Sequence, residues 1–563
     1  MKIIIEDSNI KIESRGIEFL KLKTLLVNKI GSNFRTLKST IILPIGLLDV
    51  LQSIPEFASR NELNVTSEYI IHSKARETAL LNYANHSVLG IDNTWKSILD
   101  VPQQYAVSAM ITDGLLGLCL FDEQGSGKTV MAISAFDILH NAKKVDSLLI
   151  VCPKSMIAGW KEDIKKFLKA KYSIGVLDDD KRRETLQSNK DIIISNYEGL
   201  NGLEVIFAAA SKIHKYLLII DESYYAKNEK SHRSGIIKRI RDCCCKAFVL
   251  CGTPAPNNAY DIVNQLNLAD KGFTFSLFSP TGEIDKDREA IRNFMHSRGM
   301  YIRRQKTEIL KFVPKKVFEI VKVKLQGRQK LLYEKARDSL VLELKAYDNS
   351  TFKKNLKTYF QKRQNLLQIC SVPSAVDILF SENNVKYEAV DTILKKLIPE
   401  NKKVIIWSFY TVSICEMVKR YSKYNPVFID GSVSTEQRAI AVNKFQNDPD
   451  THLFIGNPSA AGAGITLHAS YNAIYVSYSN QAAHFLQSID RIHRRGQNAE
   501  KVYYYFIVCQ NTIEEAEISH LQDKENDQHD LLGDKPENTL TLESALCELL
   551  EKQDNEQFVH LDY

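Results

Sequence analysis

The segment DEQGSGKT (122–129) has the composition and spacing of a loop that binds phosphate groups. It follows the apolar run LGLCLFD and leads directly into the amphipathic stretch GKTVMAISAFDILH. Small residues let backbone N–H groups surround phosphate oxygens, and the start of a helix adds the positive end of its dipole. Those small residues are Gly125, Ser126 and Gly127. We expect Lys128 to reach the outer phosphates and the Thr129 hydroxyl to coordinate Mg²⁺, although the loop begins with Asp122 instead of glycine.

A pair of acids, Asp221 and Glu222, stands at the end of the apolar run YLLIID. Open α/β sheets bind their ligands at the carboxyl ends of the strands. Two carboxylates at such a place fit two tasks, with Asp221 holding Mg²⁺ and Glu222 orienting and deprotonating an attacking water. A solvated turn is the plainer alternative, because Asp-Glu pairs are common.

Three polar residues near the C-terminus, Gln487, Arg491 and Arg494, recur at spacings of four and three. This spacing predicts that they share one face of a helix. Guanidinium groups keep their charge and suit the spread-out charge of a phosphoryl group in transfer. The two arginines are therefore candidates for stabilising that charge, and a solvated basic face is the alternative.

Two series of short apolar runs surround these residues. The first series is LGLCLFD, LLIVCP, DIIISN, YLLIID and AFVLCG, and the second is KVIIWS, PVFIDG, THLFIG, NAIYVSY and VYYYFIV. Runs that are apolar on both faces are typical of buried parallel strands. Because amphipathic stretches alternate with them, the chain is predicted to be α/β, with two doubly wound parallel-sheet lobes.

Between the two series, residues 266–385 lack strand-like runs and are rich in basic, helical sequence. The predicted organisation is an N-terminal accessory domain (1–95), a first lobe (96–265), a helical insertion (266–385), a second lobe (386–520) and an acidic tail (521–563). At 563 residues the chain is too long for a single core, which agrees with several domains.

The net charge of +6 is unevenly distributed. Residues 523–563 hold twelve carboxylates against three lysines, a net charge of −9, which leaves +15 for residues 1–522. A basic body suits a polyanion as partner. No apolar run approaches the roughly 20 residues that span a bilayer, so no membrane association is expected. The ten cysteines show no metal-binding or redox spacing, which favours buried thiols and a cytoplasmic location.

Many blocks of this chain, in order, resemble those of the SWI/SNF-type ATPases, the double-stranded-DNA translocase branch of helicase superfamily two. The blocks are VPQQY (101–105), DEQGSGKT (122–129), CPKSMIAGW (152–160), SNYEGL (195–200), DESYYAKN (221–228), CGTPAPNN (251–258), YIRRQKTEILKFVPKK (301–316), LLQICSVP (366–373), AAGAGITL (460–467) and QSIDRIHRRGQ (487–497). The second block includes the acidic start that the general phosphate-loop pattern lacks.

The resemblance implies two RecA-like lobes with helical protrusions, dependence on ATP and Mg²⁺, and hydrolysis stimulated by DNA. By carry-over, the ATPase site consists of Lys128, Thr129, Asp221, Glu222, Gln487, Arg491 and Arg494. Gln104 falls in the position that reads adenine. Gly462 and Gly464 fall where the second lobe couples nucleotide to DNA.

A motor that moves along DNA grips phosphates, because it cannot depend on base identity. Candidate contacts in the first lobe are Lys154, Ser155, Asn196 and Tyr197, joined in the second lobe by backbone N–H groups near Gly462. A further basic face, which is also explained as a solvated surface, comprises Lys353, Lys354, Lys357, Lys362 and Arg363.

The chain departs from the family pattern at two places. Tyr224 stands where many members have histidine, and SYSNQAAHF (477–485) replaces a Trp-Asn-Pro stretch. The chain looks more like short bacterial and phage members than like chromatin remodellers. We expect a DNA-dependent ATPase that acts as a monomer on double-stranded DNA, with a possible protein partner at residues 1–95. A strand-separating helicase at forks or R-loops, an RNA-dependent ATPase and a catalytically inactive DNA-binding scaffold remain alternatives.

Overall fold

The computed structural model describes residues 2–6, 9–44, 47, 50–51, 53–58, 68–169, 171–177, 181–255, 259–276, 278–309, 313–346, 354–461, 465–477, 482–494, 496–515 and 558–562. These residues form two compact units. The first unit contains the described residues up to Ile309, and the second contains those from 313 onwards. None of the helices that the structure describes is both long enough and apolar enough to cross a bilayer.

The first unit begins with a small antiparallel sheet in the order β1-β2-β4-β3. Its strands are Lys2–Glu6 (β1), Asn9–Glu13 (β2), Arg35–Leu37 (β3) and Thr40–Pro44 (β4), and helix α1 spans Gly16–Ile30. Alternate residues of β2 and β4 are buried, and they share a core with Leu22 and Leu26 of α1. This is the pattern of a sheet with one covered face.

A seven-stranded parallel sheet dominates the first unit, in the order β11-β5-β10-β9-β6-β8-β7. Its strands are Gly117–Leu120 (β5), Ser147–Cys152 (β6), Ile174–Leu177 (β7), Ile192–Asn196 (β8), Tyr216–Asp221 (β9), Lys246–Leu250 (β10) and Tyr301–Ile302 (β11). All five strands predicted for the first lobe are confirmed. The two strands at the sheet's edges, β7 and β11, were missed because both are short and only half buried along their length.

Twelve further α-helices of the first unit are described, and several of them pack on the faces of this sheet, as is usual for parallel strands. The twelve are Pro55–Ala58 (α2), Glu68–Ala84 (α3), Asn93–Ile98 (α4), Val101–Met110 (α5), Lys128–Asn141 (α6), Ile157–Leu168 (α7), Arg182–Gln187 (α8), Glu204–Ala210 (α9), His232–Asp242 (α10), Val263–Asp270 (α11), Ile284–Arg298 (α12) and Lys306–Ile309 (α13). Ala75 and Ala79 of α3 and Trp95 of α4 lie in the core of the large sheet. The predicted boundary between residues 95 and 96 therefore falls inside one core.

The second unit contains a seven-stranded sheet in the order β14-β15-β13-β16-β17-β12-β18. Its strands are Lys315–Val323 (β12), Val404–Trp407 (β13), Val427–Ile429 (β14), Leu453–Gly456 (β15), Asn472–Tyr475 (β16), Lys501–Cys509 (β17) and Phe558–Asp562 (β18). Strand β18 pairs antiparallel with β12, and the other neighbours are parallel. All five strands predicted for the second lobe are confirmed.

Strand β12 departs from the prediction that residues 266–385 form a helical insertion without strands. Its sequence KKVFEIVKV mixes charged and apolar residues, so it does not look like a fully apolar strand. Nevertheless it pairs along its whole length with β17, from Lys315 opposite Lys501 to Val323 opposite Cys509. Among the described residues of the second unit before residue 385, the α-helices of the predicted insertion are α14 (Gly327–Lys345) and α15 (Leu356–Ser371).

The remaining helices of the second unit are Val385–Leu397 (α16), Thr411–Arg420 (α17), Thr435–Asn447 (α18), Pro458–Ala461 (α19) and Ala482–Ile489 (α20). Most of the predicted acidic tail, including the segment TLESALCELLEKQ, lies outside the described residues.

Candidate nucleotide site and arginine turn

The phosphate loop lies between β5 and α6, as the sequence predicts. Gly125 and Gly127 have φ angles of 84° and 86°, a left-handed conformation that glycine adopts without steric cost. A Cβ at Gly127 would also collide with the Gln103 side chain, whose Nε2 donates to the Ser126 carbonyl over 2.8 Å. Helix α6 starts at Lys128, so its unpaired N–H groups face the loop.

The amine of Lys128 rests on the backbone of its own loop. Its Nζ donates to the carbonyls of Asp122 over 2.7 Å and of Glu123 over 3.1 Å. Ser126 is fully buried, and its hydroxyl has no hydrogen-bond partner among the described residues. A charged phosphate oxygen is a stronger acceptor than a carbonyl. The loop therefore has donors that fit a polyphosphate.

The acid pair ends β9, which is separated from β5 in the sheet only by β10. Gln124 of the phosphate loop donates from Nε2 to Glu222 Oε1 over 3.1 Å, which joins the loop to the pair. Glu222 has a φ of 49°, and a non-glycine residue in this region costs of order 1 kcal/mol. Strain of this kind at the end of a central strand supports a functional role for Glu222.

Asp221 is held from both sides. Trp160 Nε1 donates to Oδ2 over 2.9 Å, and the Glu222 N–H donates to Oδ1 over 2.9 Å. Burial raises the pKa of the Asp221 carboxyl, while the Trp160 hydrogen bond and the charge of Lys128 oppose that rise. The Asp221 carboxylate and the Thr129 hydroxyl at the start of α6 are oxygen donors of the type that Mg²⁺ prefers.

The structure brings Gln103, and not Gln104, against the phosphate loop. Gln104 instead donates from Nε2 to the carbonyls of Lys96 over 3.1 Å and Leu99 over 2.9 Å. The contact of Gln103 was missed because two adjacent glutamines give no sign of which one faces inward. The assignment of Gln104 to adenine stays a prediction.

The residues predicted to contact DNA in the first lobe follow two neighbouring strands. Lys154 and Ser155 come after β6 and Asn196 ends β8, and Cys152 is paired with Asn196 across these strands. Lys154 is exposed, whereas Ser155 and Asn196 are partly exposed.

Tyr197 does not fit a direct contact with DNA. It is 2% exposed, and its hydroxyl donates to the carbonyls of Asp221 over 2.7 Å and Glu222 over 3.1 Å. The prediction for Tyr197 is corrected on this ground, because a side chain buried to this degree offers no surface to a phosphate. Its observed contacts hold the backbone of the acid pair.

In the second unit, α20 ends at Ile489, so the predicted shared helix face of Gln487, Arg491 and Arg494 is wrong. Both arginines lie in the turn that follows. They nevertheless come together, because Nη1 of Arg491 and Nη1 of Arg494 donate to the Ile465 carbonyl over 3.1 and 3.0 Å. We call residues 490–494 the arginine turn.

Burial lowers the pKa of Arg494, with the nearby Asp490 opposing the effect. Gln487 and Arg491 are also buried. Gly462 and Gly464 lie outside the described residues. Ile465, whose carbonyl accepts hydrogen bonds from both arginines, follows Gly464 directly in the sequence. Of the predicted basic face, Lys353 also lies outside, and Lys362 forms an ion pair with Glu343 of α14.

Several residues that support the site were missed or not given a role by the sequence. Gln265 on α11 accepts from the Ser223 hydroxyl over 2.6 Å and donates to the Pro254 carbonyl, and so it links the loops after β9 and β10. No local pattern marks Gln265. Trp160 and Arg304 did stand inside recognised blocks, but a block does not reveal what its side chains touch.

A parallel sheet that collects a phosphate loop and an acid pair at its carboxyl edge, followed by a second α/β unit with paired arginines, defines an ATP-dependent enzyme of the helicase type. Models of known families agree: the SNF2-related domain matches residues 103–375, and the helicase conserved C-terminal domain matches residues 385–496. The chain belongs to the SWI/SNF-type ATPases.

Curated relatives are similar across most of this chain. An uncharacterised ATP-dependent helicase of Mycoplasma genitalium is 28% identical over 77% of this chain and 42% of its own length. The nuclear protein STH1/NPS1 of Saccharomyces cerevisiae is 27% identical over 72% and 32%, and the human DNA annealing helicase and endonuclease ZRANB3 is 26% identical over 71% and 37%. The chain thus spans less than half the length of these relatives.

Among solved structures, the SWI2/SNF2 ATPase core of Sulfolobus solfataricus in complex with dsDNA is 20% identical, with a TM-score of 0.36, over 76% of this chain and 94% of that one.

Proposed function

We propose that this chain hydrolyses ATP to move along double-stranded DNA and thereby remodels DNA or protein–DNA complexes. The observation that carries the proposal is the carboxyl edge of the first unit's parallel sheet. There the phosphate loop and the acid pair follow β5 and β9, and exposed Lys154 follows β6, the next strand beyond β9. A nucleotide and a polyanion at this edge would act on adjacent loops of one sheet.

ATP is the proposed substrate, and each residue of the edge has a proposed task. Lys128 would give up its hydrogen bonds to the carbonyls of Asp122 and Glu123 and would donate to the outer phosphates instead. Glu222 would orient the attacking water and accept its proton, with Gln124 as its neighbour in the loop. Asp221 and Thr129 would hold Mg²⁺, which when bound neutralises charge that develops on the phosphates. Gln487, Arg491 and Arg494 would add positive and polar groups at the phosphoryl group in transfer.

The contact with DNA is proposed to go through phosphates. Lys154, Ser155 and Asn196 follow neighbouring strands, and backbone N–H groups near Gly462 and Gly464 are the proposed counterpart in the second unit. Binding through several phosphates releases counterions, so affinity for duplex DNA should fall steeply with rising salt.

Residues 1–95 are proposed to hold a surface for a protein other than this chain. Helix α1 buries Leu22 and Leu26 but exposes Ile17 by 74%, Leu20 by 61% and Val27 by 48%. Clustered exposed apolar side chains mark interaction sites. Light scattering should report a monomer; a dimer that Leu20→Ser dissociates would instead assign this face to self-association.

The proposed activity is tested by phosphate release with duplex, forked and single-stranded DNA and with RNA. We expect duplex DNA to stimulate hydrolysis, and we expect Lys128→Ala and Glu222→Gln each to lower kcat by about 10²-fold or more. Lys144→Ala is the matched control, because this lysine pairs with Asp113 on the surface of the same unit. Normal hydrolysis by both site variants would show that the site is assigned wrongly.

Movement is tested separately from hydrolysis. A translocase should displace the third strand of a triplex but should leave the two strands of a forked duplex paired. Unwinding of the fork would favour the strand-separating alternative. DNA binding without any hydrolysis by the wild-type chain would favour the scaffold.

A further inference from the structure

The segment after β11 runs beside the beginning of the phosphate loop. The N–H of Phe121 donates to the Ile302 carbonyl over 2.8 Å, and the N–H of Glu123 donates to the Arg304 carbonyl over 3.2 Å. Strand β11 is parallel to β5 and lies at the edge of the sheet. Residues distant in sequence therefore extend the backbone pairing of β5 into the loop itself.

Arg304 adds a charged contact to this pairing. Its Nε donates to Asp122 Oδ1 over 3.0 Å, and its Nη2 forms an ion pair with Oδ2 of the same carboxylate. A third donor, Nη1, reaches the Pro102 carbonyl at the start of α5. Asp122 is fully buried and Arg304 is 7% exposed, so the two charges depend on each other. This pair explains why the loop begins with an acid where the general pattern has glycine.

The same two residues that receive the amine of Lys128 are held from outside the loop. Asp122 offers its carbonyl to Lys128 and its carboxylate to Arg304. Glu123 likewise offers its carbonyl to Lys128, while its Oε2 accepts from the Lys306 N–H over 2.8 Å. The position of the Lys128 amine is thus set by a backbone that the segment 303–306 fixes.

We infer that Arg304 is a positioning residue for nucleotide binding: by orienting Asp122, it fixes the first turn of the phosphate loop and the resting place of the Lys128 amine. The inference rests on the proposed function in one respect only, that the ligand of the loop is a nucleoside triphosphate. The observed polar contacts of Arg304 with Asp122 and the Pro102 carbonyl make its effect on the ligand indirect.

The test is the affinity of the full chain for a fluorescent ATP analogue, measured without DNA. Arg304→Met should raise the Kd by about tenfold or more, and Arg304→Lys should recover part of the loss, because lysine keeps the charge but not the two-pronged geometry. The control is Arg298→Met. Arg298 lies on α12 and donates to the Phe273 carbonyl over 3.4 Å, so its loss should lower thermal stability without changing the Kd.

A double variant, Asp122→Asn with Arg304→Met, tests whether the loss of affinity comes from the position of the loop or from an unpaired buried charge. It removes both buried charges, so its fold should be at least as stable as that of Arg304→Met, yet its Kd should stay raised because the loop's first turn is no longer held. A wild-type Kd in either Arg304→Met or the double variant would overturn the inference. Tight analogue binding by a wild-type chain that lacks DNA-stimulated hydrolysis would instead count against the proposed function and leave the role of Arg304 standing.

Discussion

The phosphate loop of the first unit and a buried cluster of the second unit each contain a lysine, and the two lysines donate to different kinds of partner. We call the second group, Lys386 with Glu514 and Val476, the Lys386 cluster. Lys128 donates to two neutral carbonyls, whereas Lys386 is fully buried and donates to Glu514 Oε1 over 2.6 Å and to the Val476 carbonyl over 2.6 Å. A lysine that exchanges a carbonyl for a phosphate gains a charged partner. A lysine that moves away from a buried carboxylate loses a charged partner, and the carboxylate stays buried without a compensating charge. For these two lysines, the partner at rest thus separates a cation that is available to a ligand from one that holds the fold.

The comparison extends to the arginines of both units. Arg491 and Arg494 donate to the Ile465 carbonyl and resemble Lys128 in this respect. Arg304 is bound to the buried Asp122 carboxylate and resembles Lys386. We therefore expect Arg491 and Arg494 to affect catalysis, and Arg304 to affect structure and position.

The largest expected effect comes from the arginine turn. Arg494→Ala should lower kcat by about 10³-fold, which corresponds to about 4 kcal/mol, because an arginine that stabilises a phosphoryl group in transfer contributes at this level. Single-turnover phosphate release with saturating duplex DNA measures the change. Arg420→Ala is the control, since Arg420 pairs with Asp391 at the surface of the same unit. Equal rates for the two variants would place Arg494 with the structural cations.

The Lys386 cluster should respond in stability instead of catalysis. Lys386→Met leaves the Glu514 carboxylate buried without its cation, and we expect the free energy of unfolding of the second unit to fall by about 3 kcal/mol. Denaturant titration measures the loss. Replacing Glu514 with Gln in the same chain should recover part of it, because no buried charge then remains. If the double variant instead had a still lower free energy of unfolding, the proposed difference between the phosphate-loop lysine and Lys386 would be wrong.

The sequence predicted the parts of the fold and site in which one local pattern decides the outcome. Buried parallel strands are apolar on both faces, so ten of them could be recognised from their runs alone. Strand β12 could not, because its charged residues Lys316, Glu319 and Lys322 recur at a spacing of three, as on an amphipathic helix, and its place depends on pairing with β17. The end of α20 at Ile489 was likewise invisible in the regular spacing of Gln487 and the two arginines.

Contacts between distant residues account for most of the remaining misses. Asp122 looked like a defect in the phosphate-loop pattern because its partner, Arg304, lies 182 residues away. Tyr197 looked like a surface contact because its block is polar, but its hydroxyl turns inward to the Asp221 carbonyl. A side chain's direction depends on the packed neighbours, which no spacing within one block reveals.

A smaller effect is expected from Trp160, which supports Asp221 from within the first unit. Burial raises the pKa of Asp221 and the Trp160 hydrogen bond opposes the rise, so Trp160→Phe should raise that pKa further. A protonated carboxyl cannot hold Mg²⁺, and activity should therefore be lost at a higher pH as the solution is made more acidic. We expect the Mg²⁺ concentration for half-maximal hydrolysis at neutral pH to rise by about tenfold, equivalent to about 1.4 kcal/mol. An unchanged pH profile would show that this hydrogen bond does not tune the site.

The smallest effect concerns a buried group that is held neutral. His72 is fully buried, and its Nδ1 accepts from the Leu116 N–H over 3.1 Å. Burial, reinforced by the charge of Arg241, lowers its pKa from 6.5 to about 3. Between these values the unfolded chain binds a proton that the folded chain does not, so the free energy of unfolding should fall as pH decreases, by roughly 1 kcal/mol from about pH 6.5 to about pH 5.5.

Two variants identify the source of this acid sensitivity. His72→Gln keeps an acceptor for the Leu116 N–H but cannot be protonated in this range, so stability should depend less on pH than in the wild type, even if the variant is less stable overall. His232→Gln, at the exposed start of α10, should keep the wild-type dependence. If His72→Gln also keeps the wild-type dependence of stability on pH, the acid sensitivity belongs to other buried groups of the first unit. The neutral His72, like a cation paired with a buried carboxylate, would then only hold the fold.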